Sequence, residues 1–442
     1  MHRAETILRG IRGARATRGS IVLLFCIIGL LCEPLGAGSN DLFKFGYDAR
    51  PDFAAFDPHY RHMHDRFSKE LDVLQADMIR QQRSGRKTFC SRQIFLECRW
   101  LVYHTADYQK TQQRLDDLRR VLAAGADPYE RVQVESDGSF APCCNAWWLR
   151  MDMSCDELIT MGMKWQEPKY PLKLLDKINS PQKLTAYLDS LLISDIRKTG
   201  VNNALELNMA AADLQRFILF DGTLKEIPTK FEFDPGLKKT LLDYEDNKWQ
   251  DPKTGFWGAW FKTADGSIVK ACDLSTTFHL VKYRDGVGND IQRWPELIAT
   301  TLAMKDGRFP YGWLEEGQYM SNHHNVDLVT LWRLGWSHAR PQQREQIAGA
   351  ISQMLDFCLH QSLQPDGSFK SPEEDTLSSA FYFGVSFLRE IGYFSKSNRF
   401  WTDRQFPESE QVRKRMLDRM EALRLDDSEA SWAMWQLRLV KD

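Results

Sequence analysis

The chain lacks the short fingerprints that announce whole classes of chemistry. No Walker loop, dinucleotide-binding glycine turn or His-Glu-x-x-His helix occurs in its 442 residues. Their absence argues against P-loop nucleotide hydrolysis, Rossmann-type cofactor binding and zincin proteolysis. An excess of basic charge is also missing. The net charge is −2, which leaves no electrostatic footprint for nucleic acid. No Cys-x-x-Cys pair appears among the nine cysteines, so a structural zinc site is not expected; neither a catalytic metal nor a cofactor is expected. Strand signals are few, confined to Val132–Glu135 and Ser267–Lys270, too short for a sheet of their own.

The apolar run Ile21–Cys32 is short of the roughly 20 residues needed to span a bilayer. Arg3, Arg9, Arg12, Arg15 and Arg18 precede it, and Leu35-Gly36-Ala37 follows. A basic start, a short apolar stretch and small residues read as a signal peptide over 1–37. The protein is therefore expected to be secreted or periplasmic. Anchoring to a membrane through 21–32 is the alternative, if the segment is not cleaved. Five of the remaining seven cysteines lie within Cys90–Cys155, and one or two disulfides are expected there in an exported chain.

One phrase is written three times. Gln133–Phe140 ends in Asp-Gly-Ser-Phe, Gln250–Trp257 in Thr-Gly-Phe-Trp, and Gln364–Phe369 again in Asp-Gly-Ser-Phe. Each has a Gln, a short turn, a Gly and an aromatic two residues on. A helix-like segment follows each one, and recurrence between helices marks an array. The Gly is free to take positive φ in the turn. The Gln is expected to bond to a neighbouring loop, and the aromatic to fill the gap between helix pairs.

The remainder reads as helix after helix, about fourteen between His59 and Leu439. Ser180-Pro181 opens one with a cap and a first-turn proline. Leu184, Tyr187, Leu188, Leu191, Leu192 and Ile196 follow at helical spacing, and Gly200 is expected to end it. Another helix follows Pro341, and a C-terminal one carries Val412, Met416, Met420 and Leu423. The aromatic-rich stretch Leu42–Pro58 reads as irregular. The organisation is a signal peptide over 1–37, an irregular segment with a first helix over 38–89, and one helical domain over 90–442.

The three phrases, with the Asp273-Leu-Ser-Thr-Thr helix start, resemble the α/α-toroid superfamily. It includes terpenoid cyclases and prenyltransferases with their Gln-to-Trp repeats, and many glycoside hydrolases and polysaccharide lyases. The resemblance implies a mostly α fold, a barrel of helix hairpins with short β segments in loops, whose inner helices surround a cavity. It says little about the reaction. The acidic Asp-x-Asp-Asp motif of class II terpene cyclases is missing. Cys272, Asp273 and His279 have the ligand types of a prenyltransferase zinc site but not its order or spacing.

The densest polar constellation runs from Tyr319 through Asn322, His323, His324 and Asn325 to Asp327. It is similar to uronate-type toroid lyases in its Asn-His pair beside a Tyr. In that reading His323 or His324 is the acid/base, Asn322 neutralises the substrate carboxylate, Tyr319 donates a proton, and Arg308 and Asn325 contact the acidic sugar. A hydrolase needs two carboxylates. Asp273 leads the candidates there, ahead of Asp306, Glu315, Glu316, Asp327, Glu374 and Asp375. Trp257, Trp260 and Trp313 are candidate sugar platforms, although Trp in such repeats also serves as core. The expected partner is a glycan or other small-molecule substrate. Cleavage of a polysaccharide or oligosaccharide is favoured, lyase slightly ahead of hydrolase. The alternatives are a binding or scaffold toroid without chemistry and a divergent terpenoid-cyclase-like enzyme.

Overall fold

A computed structural model describes residues 58–125, 127, 132–164, 166–219, 228–370, 376–425 and 427–439. The segment 1–37, the stretch Leu42–Asp57, Glu374 and Asp375 lie outside the described residues. Among the described residues there are fifteen α-helices and one three-stranded sheet. No described helix is long and apolar enough to cross a membrane.

The first three helices are α1 (Pro58–Arg83), α2 (Phe89–His104) and α3 (Tyr108–Ala124). They pack on one another around Phe67, Leu71, Phe95 and Leu118. Then come α4 (Trp147–Met163), α5 (Pro181–Leu192), the short α6 (Ile196–Thr199), α7 (Ala204–Leu214), α8 (Leu237–Tyr244), α9 (Leu274–Gly286) and α10 (Trp294–Ala303). The chain closes with α11 (Asn322–Leu334), α12 (Pro341–Phe357), α13 (Leu377–Glu390), α14 (Ser409–Leu423) and α15 (Ser428–Arg438). Three helices continue into a single π-helical turn: α7 into Gln215–Leu219, α8 into Glu245–Trp249 and α12 into Cys358–Ser362.

Six helices contact one another in a cycle. α4 packs on α7, α7 on α9, α9 on α11, α11 on α13, α13 on α15, and α15 returns to α4. Helices between them in sequence pack on these: α5 and α8 on each other, α5 on α7, α8 on the π-helical turn after α7, α12 on α11, and α14 on α15. The main core draws on both sets of helices.

The repeated phrase does the structural work expected of it. Gly138, Gly255 and Gly367 all have positive φ, at 74°, 73° and 89°, and a side chain on Gly255 would press into the Leu297 backbone. Gln133 donates to the carbonyls of Gly138 (2.7 Å) and Tyr170 (2.6 Å) and accepts from the Tyr170 amide. Gln250 repeats this, donating to Gly255 (2.9 Å) and Gln292 (3.3 Å). Gln364 differs: it donates only to its own neighbours, Ser362 and Gln361. The aromatics Phe140, Trp257 and Phe369 are all buried. Phe140 and Trp257 donate their amides to Ser154 and Thr277 on the next cycle helix, and Phe369 lies against Gly384 of α13.

Some expectations need correction. The helix that opens at Pro181 ends at Leu192; two strand residues then pair with Trp260–Phe261, and Gly200 terminates only α6. Val132–Glu135 is loop and turn, while Ile268–Lys270 is indeed a strand. One disulfide forms, Cys90–Cys143, with Cα atoms 5.6 Å apart. The other five described cysteines are buried thiols.

Candidate functional site

The cycle helices carry an unusual load of polar side chains. α4 contributes Asp152 and Asp156, one turn apart on one face. The stretch after α7 contributes Arg216, α9 contributes His279, Lys282 and Tyr283, α11 His323 and Asp327, α13 Ser379, Tyr382 and Phe383, and α15 Glu429.

These groups meet. Arg216 lies 3.5 Å from Asp156 and 3.6 Å from Asp213. It donates to the Tyr283 hydroxyl and sits over the Tyr283 ring at 4.8 Å. Tyr283 in turn stacks with His279, centroids 5.8 Å apart. His323 stacks on Phe383 at 3.9 Å, and its Nε2 is 3.6 Å from the Asp327 carboxylate one turn on. Glu429 accepts from Ser379 and from Arg92 of α2. The Tyr382 hydroxyl feels the charges of Arg216, Asp156, Glu429 and Asp327, which stand on four different elements.

Desolvation governs the ionisation of this cluster. Asp152 keeps some accessible surface, yet its surroundings and the Asp156 charge push its carboxyl up to about 7. Glu429 is also raised to about 7 by desolvation, against the pull of Arg92. Asp213 and Asp327 are fully buried and raised well above the carboxylate range, again by burial first. His323 is held down at about 3, and His279 and His324 well below their ordinary value, by the same cause. At neutral pH Asp213 and Asp327 therefore hold their protons, Asp152 and Glu429 are poised to titrate, and the imidazoles are neutral.

The residues singled out from sequence do not all converge. His323 lies in the cluster. His324 is turned to stack on Phe309, centroids 4.0 Å apart. Asn322 is buried and donates to Ser362 after α12, so its amide is committed to the scaffold; Asn325 is buried too. Tyr319 donates toward Gln353 and Ala350 of α12 and lines a surface groove with Gln318 and Phe357. Arg308 faces Glu315 at 3.5 Å. Asp273 caps α9 by accepting from the Thr276 amide, a burial that raises it to about 7. Trp257 and Trp313 are core, with their indole N–H groups satisfied by the Glu245 and Thr301 carbonyls. Trp260 lies under Lys270 on the small sheet.

Sequence reading missed Asp152, Asp156, Arg216, His279, Tyr283 and Glu429 as a group. The one signal available was the acidic i, i+4 pair inside the apolar helix Trp147–Met163. Among the described residues, no three or more His, Cys, Asp or Glu side chains gather as a metal-holding group. Compared with known protein families, with curated proteins and with solved structures, the chain matches none.

Proposed function

We propose that the six-helix cycle is the inner wall of an α/α toroid, and that the cluster inside it cleaves a glycan by acid–base hydrolysis. The observation that carries this reading is the Asp152–Asp156 pair. A carboxyl raised to about 7 keeps its proton near neutrality and can give it to a glycosidic oxygen as the bond breaks. The second carboxyl one helical turn away, with Arg216 beside it, is placed to activate water or attack the sugar. Phe383 and Tyr382, half-buried on α13, offer ring faces of the kind that stack on sugars.

The pairing of the guanidiniums ranks hydrolysis above elimination. Arg92 and Arg216 are already engaged with carboxyls. A uronate carboxylate would have to compete for them, so a neutral glycan fits better. Lyase chemistry remains the second reading on one observation. Tyr283 is stacked on His279 and bonded to Arg216; burial raises its hydroxyl above the ordinary range, and the guanidinium partly offsets this by favouring the ionised form. The isoprenoid alternative expects an apolar lining, and these side chains are polar. Export is supported by the basic-then-apolar start and by the Cys90–Cys143 disulfide, which persists in oxidising compartments.

The test is a panel of neutral and uronic-acid polysaccharides with the purified protein. Reducing ends and ultraviolet absorbance from unsaturated ends are read together. Reducing ends without absorbance, lost in Asp152→Asn, supports hydrolysis at this pair. Cleavage that survives Asp152→Asn refutes the assignment.

A further inference from the structure

The helix α2 belongs to the N-terminal bundle, yet its polar contacts reach the cycle at several points. It packs on both α4 and α7. Leu96 and Trp100 lie against the small apolar cluster of Ala141, Cys144, Trp148 and Leu149, together with Leu205 and Met209 of α7. From this seat Arg92 reaches Glu429 on α15 at 2.8 Å. Arg99, two turns further along α2, acts by its charge on His323 of α11. In the order of the cycle α11 stands opposite α4. The cycle residues involved sit in the first turn of their helices, where Glu429 is the second residue of α15 and His323 the second of α11. Asp156 and Tyr283 lie two turns deeper in α4 and α9.

The helix is also fastened down. The disulfide ties Cys90, at its start, to Cys143 in the loop before α4. Gln93 accepts from the Cys143 amide and Glu97 from the Asn145 amide. Arg114 of α3 bridges Glu97 and the Cys143 carbonyl, and is itself buried. A helix held this way is a fixed part of the wall.

We infer that α2 roofs the N-terminal mouth of the toroid, with Arg92 as its closing contact, so that the site takes the ends of glycan chains and short oligosaccharides and does not thread a long chain. This inference rests on the glycan-cleavage reading for its substrate, but the roof itself does not. A chain entering such a space meets α2 beyond the Asp152–Asp156 level and has nowhere to continue. Arg92 is then specificity-determining: its pair with Glu429 limits how many sugar units fit past the cleavage point.

Two measurements test this in the full-length protein. On the neutral polysaccharide that the panel identifies, reducing ends are followed against solution viscosity. An end-acting enzyme releases reducing ends while viscosity falls slowly, and Arg92→Ala shifts the balance toward faster viscosity loss per bond cut. Viscosity that collapses at the first few cuts in the wild type overturns the inference while leaving the glycan reading intact. The second measurement needs no substrate. Ser379 is buried and donates to Glu429, the carboxyl that Arg92 holds. A Ser379→Cys thiol is alkylated with N-ethylmaleimide and the site is read by peptide mass spectrometry. A roof predicts slow labelling that becomes about tenfold faster when Arg92→Ala is added, because opening governs access. Fast labelling without Arg92→Ala overturns the roof, even if no glycan is cleaved and the functional reading has failed.

Discussion

The turns between the helices and the space within the cycle are built from the same chain by opposite rules. In the turns polar atoms are mostly used up, the exception being the buried Oε1 of Gln250. Gln133 employs both its amide and its carbonyl, and the indole of Trp257 bonds a carbonyl while the ring is fully buried. In the polar cluster of the cycle helices some atoms are left wanting. Nδ1 of His279 is buried without a hydrogen-bond partner. An unmet buried polar group is costly, and a protein tolerates it where something else is gained. Turns hold the helices in register; on the proposed reading, the polar cluster is where such a cost is accepted for chemistry.

The comparison breaks most sharply by mutation. Asp152→Asn removes the proposed acid and should lower cleavage by about 10²–10⁴-fold, with the fold unchanged by circular dichroism. Trp257→Ala should do the reverse, costing about 3–5 kcal/mol in urea unfolding. Phe383→Ala, in the half-buried interior, should weaken substrate binding far more than it weakens the fold. If both aromatics prove equally destabilising, the distinction between turn and interior fails.

A pH series sharpens it further. Asp152, Asp273 and Glu429 are raised to about 7 and Glu245 to about 8, burial being the first cause in each. A raised carboxyl binds its proton more tightly in the folded state than in the unfolded chain. Its contribution to stability is therefore full below the unfolded pKa and lost as pH rises through the folded one. His323, held at about 3, acts oppositely, but only below its unfolded value near 6.5. Between pH 6.5 and 8 the raised carboxyls stand unopposed by it, so the urea midpoint should fall across that window. Asp152→Asn should flatten the slope. The same proton predicts activity that declines as pH rises through about 7.

The smallest effect separates the turns from each other. Gln133→Ala removes bonds between two segments and should cost about 1–3 kcal/mol. Gln364 bonds only within its own turn, and Gln364→Ala should cost less than about 1 kcal/mol by the same measurement.

Much of the scaffold was legible because turns and caps are local. Gly138, Gly255 and Gly367 announce positive φ, Asp273 announces a cap, and apolar spacing from Leu184 to Leu192 announces a helix. Less of the site was legible because it is assembled by closure. His323 was found for its neighbours in sequence, and Asn322 and Tyr319 were drawn in for the same reason, but the first turn of α11 sends Asn322 to Ser362 and the loop before it sends Tyr319 to Gln353. Asp156, Arg216 and Tyr283 are 60 and 67 residues apart in successive pairs, and nothing in their own segments points one toward the next. A helix of the cycle is part buried on every side, so hydrophobic periodicity cannot say which polar residue faces inward.

The central claim, that Asp152 is the proton donor of a glycan hydrolase, is tested most directly on one neutral polysaccharide with wild-type protein and Asp152→Asn side by side, reading reducing ends and ultraviolet absorbance together. The account predicts reducing ends without absorbance from the wild type and almost none from the variant. Equal cleavage by both proteins, or absorbance rising in step with reducing ends, would contradict it.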